Sequence, residues 1–133
     1  MKKAQTSIEY VIALALLLLM FVAMYELSHD MGMREQYLAS YLEGEKTAAK
    51  ISETVDWALI LGNNSNLTVQ LHSNPPQRII ASQAQVISLG TDNRTIAISP
   101  AIANMTVYTG LINSSQILGV AFNGTNVTIS QLG

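Results

Sequence analysis

The chain of 133 residues contains no cysteine and few charged side chains. The lack of Cys excludes disulfide frameworks, thiol nucleophiles and thiolate metal sites. Charged residues make up 12% of the chain, well below the usual fraction in soluble domains, and the formal net charge is −2. This composition excludes a charge-rich disordered tail and a polybasic nucleic-acid-binding protein, so no nucleic acid partner is expected.

Charge and proline are also unevenly distributed. Residues 1–62 hold 13 of the 16 charged residues, whereas all three Pro and six of the eight Gly lie at or beyond position 62. Residues 63–133 carry only Arg78, Asp92 and Arg94 as charged side chains. The length argues for one domain with an extension, and the change in composition places the junction near Gly62.

Fifteen unbroken apolar residues, Val11–Tyr25, follow a basic stub and a short polar stretch. As a helix this run covers roughly 22 Å, less than the ~30 Å hydrocarbon core of a bilayer. A helix of this length can insert into a membrane without being committed to it. Lys2 and Lys3 predict a cytoplasmic N-terminus and a C-terminal region on the far side. No small-x-small cleavage site follows Tyr25, so the apolar helix should be retained.

Beyond the apolar run the pattern becomes amphipathic over residues 30–62. Apolar or small residues recur there at steps of three and four, in a stripe formed by Tyr37, Tyr41, Gly44, Ala48, Ile51, Val55 and Leu59. Gly62 then suits a left-handed helix cap. The sequence predicts one helix of about 55 residues within 5–62, with Gly32 as the expected place for a kink.

Residues 63–133 alternate apolar and polar side chains with the period of β-strands. About six short strands are predicted, at 67–72, 78–89, 95–99, 105–108, 116–122 and 127–130, with bulges in the second and the fifth. Turns are expected at 74–76, 90–93, Gly110 and 123–124. The predicted fold class is α+β: a long helix, then a small antiparallel β-sheet or β-sandwich domain (63–133) whose apolar face the amphipathic stripe covers.

No constellation of residues suited to catalysis is recognisable. His29 and His72 lack metal-ligand spacing to a second His or a paired carboxylate. Ser28 and Asp30 flank His29, but neighbours in a helix point in different directions and cannot form a triad. Trp57 is expected to be a packing residue. We therefore expect neither an enzyme nor a cofactor or metal site.

The most specific pattern lies directly ahead of the apolar run. It resembles the class III signal peptide of archaeal type IV pilins, in which a short basic leader precedes Gln-x-Ser-x-Glu, an aromatic residue and an apolar helix. The matching residues are Lys2, Lys3, Ala4, Gln5, Ser7, Glu9 and Tyr10. Ala4 and Gln5 differ from the Gly and Phe that bacterial prepilin peptidases favour, which agrees with the archaeal branch.

The resemblance implies a function and a set of partners. A prepilin peptidase would cut between Ala4 and Gln5, so that residues 1–4 form a cleaved leader and Glu9 becomes the fifth residue of the mature subunit. The freed amine of Gln5 would then pair with Glu9, on the same chain or a neighbour. A pilus assembly ATPase and a membrane platform would move the subunit from the cytoplasmic membrane into an extracellular adhesive filament, a helical homopolymer at the cell surface.

The sequence leaves an alternative open. Residues 5–10 could be the polar margin of a signal anchor, in which Glu9 marks only the headgroup boundary. The protein would then be a membrane-anchored extracellular binding module, or a minor pilin that does not polymerise.

Seven Asn-x-Ser/Thr acceptor triplets for N-glycosylation lie in residues 63–133, and none precedes them. Nine Asn and 22 Ser/Thr among 133 residues predict about 1.5 such triplets by chance. Three are preferred because strand alternation should place their Asn opposite apolar residues such as Ile96 and Ile98. In order of preference the candidates are Asn93, Asn104, Asn126, Asn66, Asn123, Asn63 and Asn113.

The processing motif predicts that the mature protein begins at Gln5, with a free or cyclised N-terminus. Mass spectrometry of the N-terminal peptides of surface-purified protein should find a peptide that starts there. A peptide that begins at Met1, or one that begins after Tyr25, would contradict the pilin interpretation.

Overall fold

The computed structural model describes residues 2–90, 92–113 and 115–132, with side chains described from Ser7 onward. It consists of one helix and five strands, α1 (Lys2–Leu61), β1 (Asn66–Leu71), β2 (Gln77–Leu89), β3 (Thr95–Ile112), β4 (Gln116–Phe122) and β5 (Val127–Gln131). This is the predicted α+β fold. The chain divides into two compact units, one up to Tyr37 and one from Leu38 onward, and this division falls within α1.

Helix α1 forms because 60 consecutive residues contain no proline and only two glycines. The helical assignment continues through Gly32 without a break. Gly62 ends the helix as predicted, with φ at 88° and its N–H donated to the Leu59 carbonyl over 3.2 Å. A left-handed residue at this position satisfies one of the last carbonyls of the helix, and glycine adopts it without a steric cost.

The five strands form one sheet in the order β1-β4-β5-β3-β2. Its ladders are antiparallel except between β3 and β5, which run parallel at Met105 and Val127. The prediction of six strands was wrong, because residues 95–99 and 105–108 belong to the single strand β3. The turn expected at Gly110 was wrong for a related reason. Gly110 lies within β3, where the Tyr108 ring occupies the space that a side chain would need.

Bulges interrupt the pairing of β2 with β3, as predicted for β2. The register shifts between Ala81 and Gln83, between Gln83 and Gln85, and again at the end of β2, and Gln83 adopts a positive φ of 54°. The bulge predicted in β4 was wrong, since β4 pairs without a shift on both sides. Its broken alternation comes instead from Gly119, over which the side chains of Ser130 and Leu132 pack.

The face that β3 turns to the core was also predicted wrongly. Ala97, Ala101 and Ala103 are buried together with Met105, whereas Ile98 is 59% exposed. Small side chains on this face let helix and strand approach closely, and that requirement overrides the greater hydrophobicity of isoleucine. Ile96 is the extra residue of a bulge between Thr95 and Ala97 and lies against α1 at Gly44.

The core of the second unit lies between one face of the sheet and the C-terminal half of α1. Its helical members are Ala48, Ile51, Val55 and Ala58, which recur at steps of three and four, and Leu59 packs against their edge. The predicted stripe therefore covers the sheet from Gly44 onward. Its first two members do not take part: Tyr37 belongs to the first unit, and Tyr41 is 49% exposed.

Two fully buried polar residues join the sheet to α1 near Gly44. Gln77 Nε2 donates to the Ser40 carbonyl over 3.2 Å, and Ser88 Oγ donates to Gln77 Oε1 over 3.0 Å. An unpaired polar atom at such a site costs about 1–3 kcal/mol, so these bonds make the burial of both side chains tolerable. They also specify which part of α1 meets which part of β2.

Farther along α1, two polar side chains reach the irregular middle of β3. Ser52 Oγ donates to the Pro100 carbonyl, and Asp56 Oδ1 accepts the Ile102 N–H over 2.7 Å. The pairing partners of β2 jump here from Pro100 to Met105, which takes residues 101–104 out of the regular ladder with β2. The helix thus satisfies backbone groups near this break in the ladder.

Gly44 and Gly32 offer a matched test of the contact between α1 and the sheet. A Cβ at Gly44 would lie 2.5 Å from Ile96 Cγ2, whereas a Cβ at Gly32 would have no heavy atom within 4 Å. Overpacking costs about 1–3 kcal/mol, and alanine returns about 1 kcal/mol of helix propensity. We expect Gly44→Ala to lower the free energy of unfolding by up to about 2 kcal/mol and Gly32→Ala not to lower it. Thermal unfolding of the full chain in detergent measures both, and equal behaviour of the two variants would contradict the close contact.

Tyr108 supplies a second test, because its buried hydroxyl has no hydrogen-bond partner among the described residues. Burial raises the pKa of Tyr108 above its usual value of 10.0. Because folding raises this pKa, the unfolded chain ionises first, so the stability is unaffected below the pKa of the unfolded chain and falls as the pH rises from that value to the folded one. At neutral pH only the unpaired buried hydroxyl matters, and its removal in Tyr108→Phe should be neutral or stabilising by up to about 1 kcal/mol. It should also remove part of the loss of stability above about pH 10, as measured by denaturant unfolding across that range.

Candidate functional site

The first unit presents an apolar helical surface that is exposed throughout residues 11–25. Within the described residues, α1 contains an 18-residue window of mean hydropathy 2.4, none of it buried, and is long and apolar enough to cross a membrane. Residues 11–25 are apolar at every position and exposed at every position. A helix that is apolar on all sides is stable only when lipid or other helices surround it.

Two exposed carboxylates bracket this apolar segment. Glu9 precedes it and Glu26 follows it, and the 17 residue steps between them correspond to about 25 Å along the helix axis. That distance is slightly shorter than the ~30 Å hydrocarbon core of a bilayer. In a membrane both carboxylates would lie close to the headgroups, and any transfer of this segment into a helical bundle would bring them next to apolar neighbours.

The motif residues lie on the first turns of α1. Ser7, Glu9 and Tyr10 are exposed, and Tyr10 retains 70% of its surface. Gln5 is one helical turn before Glu9, the spacing at which two side chains on a helix can meet. The side chains of Lys2, Lys3, Ala4 and Gln5 lie outside the described residues, so leader cleavage and the pairing of Gln5 with Glu9 stay predictions.

The structure separates the predicted glycosylation candidates by environment. Asn126 is half-buried, whereas the exposed ones are Asn63, Asn66, Asn93, Asn104, Asn113 and Asn123. The strand argument for Asn93 was wrong, because Asn93 lies in the turn before β3 with φ at 60°.

Two of these asparagines have local packing roles in turns. The Asn123 side chain accepts the N–H groups of Thr125 and Asn126 over 3.0 and 2.9 Å and thereby stabilises the turn before β5. The Asn63 amide lies about 3 Å from the position that a Cβ on Gly124 would take. The Asn123 side chain is therefore held by the turn, and the Asn63 side chain lies close to Gly124.

A cleft that the sequence did not reveal lies beside the C-terminal end of β1. Its volume is about 280 Å³, and its lining residues are Lys46, Thr47, Lys50, Gln70, Leu71, His72 and Ser115. Lys50 Nζ donates to the Gln70 carbonyl over 2.7 Å, which occupies one backbone acceptor of this edge strand. The lining comes from α1, from the end of β1 with the residue that follows it, and from Ser115 just before β4, so no local sequence pattern could have predicted it. Two lysines give the cleft a positive character.

No group of three His, Asp or Glu side chains suited to a metal ion occurs in the part of the chain that the structure describes. Comparison of the chain with protein-family models, with curated proteins and with solved structures gave no match.

Proposed function

We propose that the protein is the structural subunit of an extracellular filament of the type IV pilus class, which polymerises through the apolar part of α1. The observation that carries the proposal is that one unit buries its apolar residues and the other leaves them exposed. The second unit has its own closed core, whereas the apolar window of the first has no buried residue at all. The motif at Gln5, Ser7 and Glu9, immediately before that window, supports a pilin over a simple anchor.

The order of the assembly steps follows from the length and the hydrophobicity of the helix. Before assembly the apolar segment lies in the cytoplasmic membrane, where fifteen apolar residues insert favourably but do not fully span the core. Cleavage after Ala4 by a prepilin peptidase removes Lys2 and Lys3, whose charges would otherwise be buried in a filament. An assembly ATPase and a membrane platform are expected to supply the work of extraction.

Identical subunits that associate head to tail without closing a ring generate a helical polymer. Apolar segments that leave lipid must be covered on all sides, and copies of the same segment provide that cover. The β domains would then face solvent and carry the adhesive surface. The filament lies outside the cell, in agreement with the orientation that Lys2 and Lys3 predict.

A permanently anchored binding module is the second candidate. It is favoured by the same apolar window, which is long enough to cross a membrane, and by the lysine-lined cleft beside β1 as a place for an anionic ligand. The two candidates differ in their product at the cell surface. Electron cryo-microscopy of sheared surface material should show filaments in which this chain is the dominant subunit, whereas an anchored module would remain in the membrane fraction.

Glu9 and Glu26 provide a matched pair of variants. Glu9→Gln should reduce filament yield at least several-fold, because a neutral side chain cannot form an ion pair with the Gln5 amine, and the subunit should accumulate in the membrane. Glu26→Gln changes the same chemical group at the opposite end of the apolar segment and should leave filament yield close to that of the wild type. Quantitative immunoblots of filament and membrane fractions measure both effects.

The comparison also tests the alternative role of Glu9. If Glu9 only marks the headgroup boundary, the two variants should behave alike, since both carboxylates would have the same position relative to the membrane. Normal filaments from Glu9→Gln would remove the assembly role of that carboxylate. The second unit should stay folded in every variant, because neither residue belongs to it.

A further inference from the structure

The sheet has a second face that no other described element of its unit covers, and this face bears no charge over β1, β4 and β5. Helix α1 packs on the opposite face, where Val69, Leu118, Val120 and Ile129 are buried. The strand pairings give rows across the uncovered face, one of Asn66, Ala121 and Thr128 and the next of Thr68, Gly119 and Ser130. These strands contain no Lys, Arg, Asp or Glu. We call this surface the outer sheet face.

Three of the seven acceptor triplets are in register with the outer sheet face. The middle residue of each triplet points to the core: Leu67 packs against it, and Met105 and Val127 are buried. Since side chains alternate between faces along a strand, the Asn and the Thr of the triplets in β1 and β3 point to the outer sheet face, as does Thr128 in β5, whereas Asn126 ends the turn that precedes β5. The triplets are Asn66 with Thr68, Asn104 with Thr106 and Asn126 with Thr128.

We propose that N-linked oligosaccharides on this set of asparagines cover the outer sheet face. In the transfer, the Asn Nδ2 attacks the anomeric carbon of a polyprenyl-phosphate-linked oligosaccharide. An N–C bond forms, the bond from that carbon to the phosphate oxygen breaks, the lipid phosphate leaves with the electron pair, and one amide proton passes to a base of the transferase. The product places a hydrated, flexible chain over a flat surface that has no charges of its own.

The composition of the outer sheet face favours glycans over a second protein layer. A packed partner would need a broad apolar surface, whereas the two rows across the middle of this face consist of Asn, Thr, Ser, Gly and Ala. The large exposed apolar side chains of these three strands are confined to Ile117 and, beyond β5, Leu132, whereas the neighbouring strand β3 also exposes Ile98 and Ile102. Oligosaccharides need no broad apolar surface, and their bulk would keep the edges and faces of other chains away from this face.

Geometry also ranks the three positions. Because Met105 is paired with Val127 in parallel, Asn104 lies beside Asn126 at one inter-strand spacing, about 4.8 Å. Two oligosaccharides at that separation would collide at their first sugars, and Asn126 is the less exposed of the two. Asn66 lies three strand spacings from β3, about 14 Å away. We therefore expect Asn66 and Asn104 to be the principal occupied sites.

The proposal rests on the far-side location of the β domain, which is part of the proposed function, but it does not depend on polymerisation. Glycopeptide mapping of full-length protein purified from native cells should find oligosaccharide on Asn66 and Asn104 in most molecules, and on Asn126 only where Asn104 is bare. Thr68→Ala should remove the glycan at Asn66, whereas Thr68→Ser should keep it, since serine is also an acceptor residue.

The outcomes separate this proposal from that of the filament. Bare Asn66, Asn104 and Asn126 in intact filaments would overturn the glycan cover and leave the filament proposal standing. Occupied sites on a protein found only in membranes would do the reverse. Occupancy confined to the turn asparagines, Asn93 and Asn123, would also overturn the proposal, because it would show that turn accessibility, and not the outer sheet face, selects the sites.

Discussion

The structure depends on a single constraint: the apolar segment of α1 cannot remain in water. Fifteen successive apolar residues are all exposed, and the burial of so much apolar surface is strongly favourable. Only lipid or other apolar helices can cover such a surface on all sides. The second unit must therefore fold without help from this segment, and it does so by closing its core between the sheet and the later turns of the same helix.

The later turns of α1 are fitted to the sheet by small residues and by polar bonds. Gly44 lets Ile96 and Ser88 approach the helix backbone. The alanines of β3 are small, so the helix can also pack close to the core face of that strand. Gln77 fixes the position of the contact, because its two hydrogen bonds are available only when Ser40 and Ser88 are both in place. Close packing and directional bonds thus act together: the first supplies stability and the second supplies the register.

The long helix and most strands could be predicted because periodicity is a local signal. Helix α1 and the residue at which it ends could be predicted from the absence of proline, the apolar stripe at steps of three and four, and Gly62. Which side chains of β3 face the core could not be predicted. The choice depends on how closely the helix approaches the strand and on bulges that only the pairing of β3 with β2 reveals. The cleft lined by Lys46 and Lys50 could not be predicted either, because its lining residues are distant in sequence. The sequence motif at Gln5 to Glu9 stays the source of the functional proposal, while the placement of Asn66 and Asn104 needed the strand register.

The hydrogen bonds from α1 to the sheet determine how the contact between helix and sheet responds to a pulling force. Ser40, Ser52 and Asp56 each connect a different turn of the helix to a different point on β2 or β3, over 16 residues of helix or about 24 Å. A pull along the helix from its apolar end would load these hydrogen bonds in parallel, in a shear geometry, and not one after another. Hydrogen bonds loaded in this way give way only when several of them break together. The turns of α1 from Ser40 to Asp56 are therefore expected to stay bound to the sheet under such a pull, and the sheet is expected to stay folded.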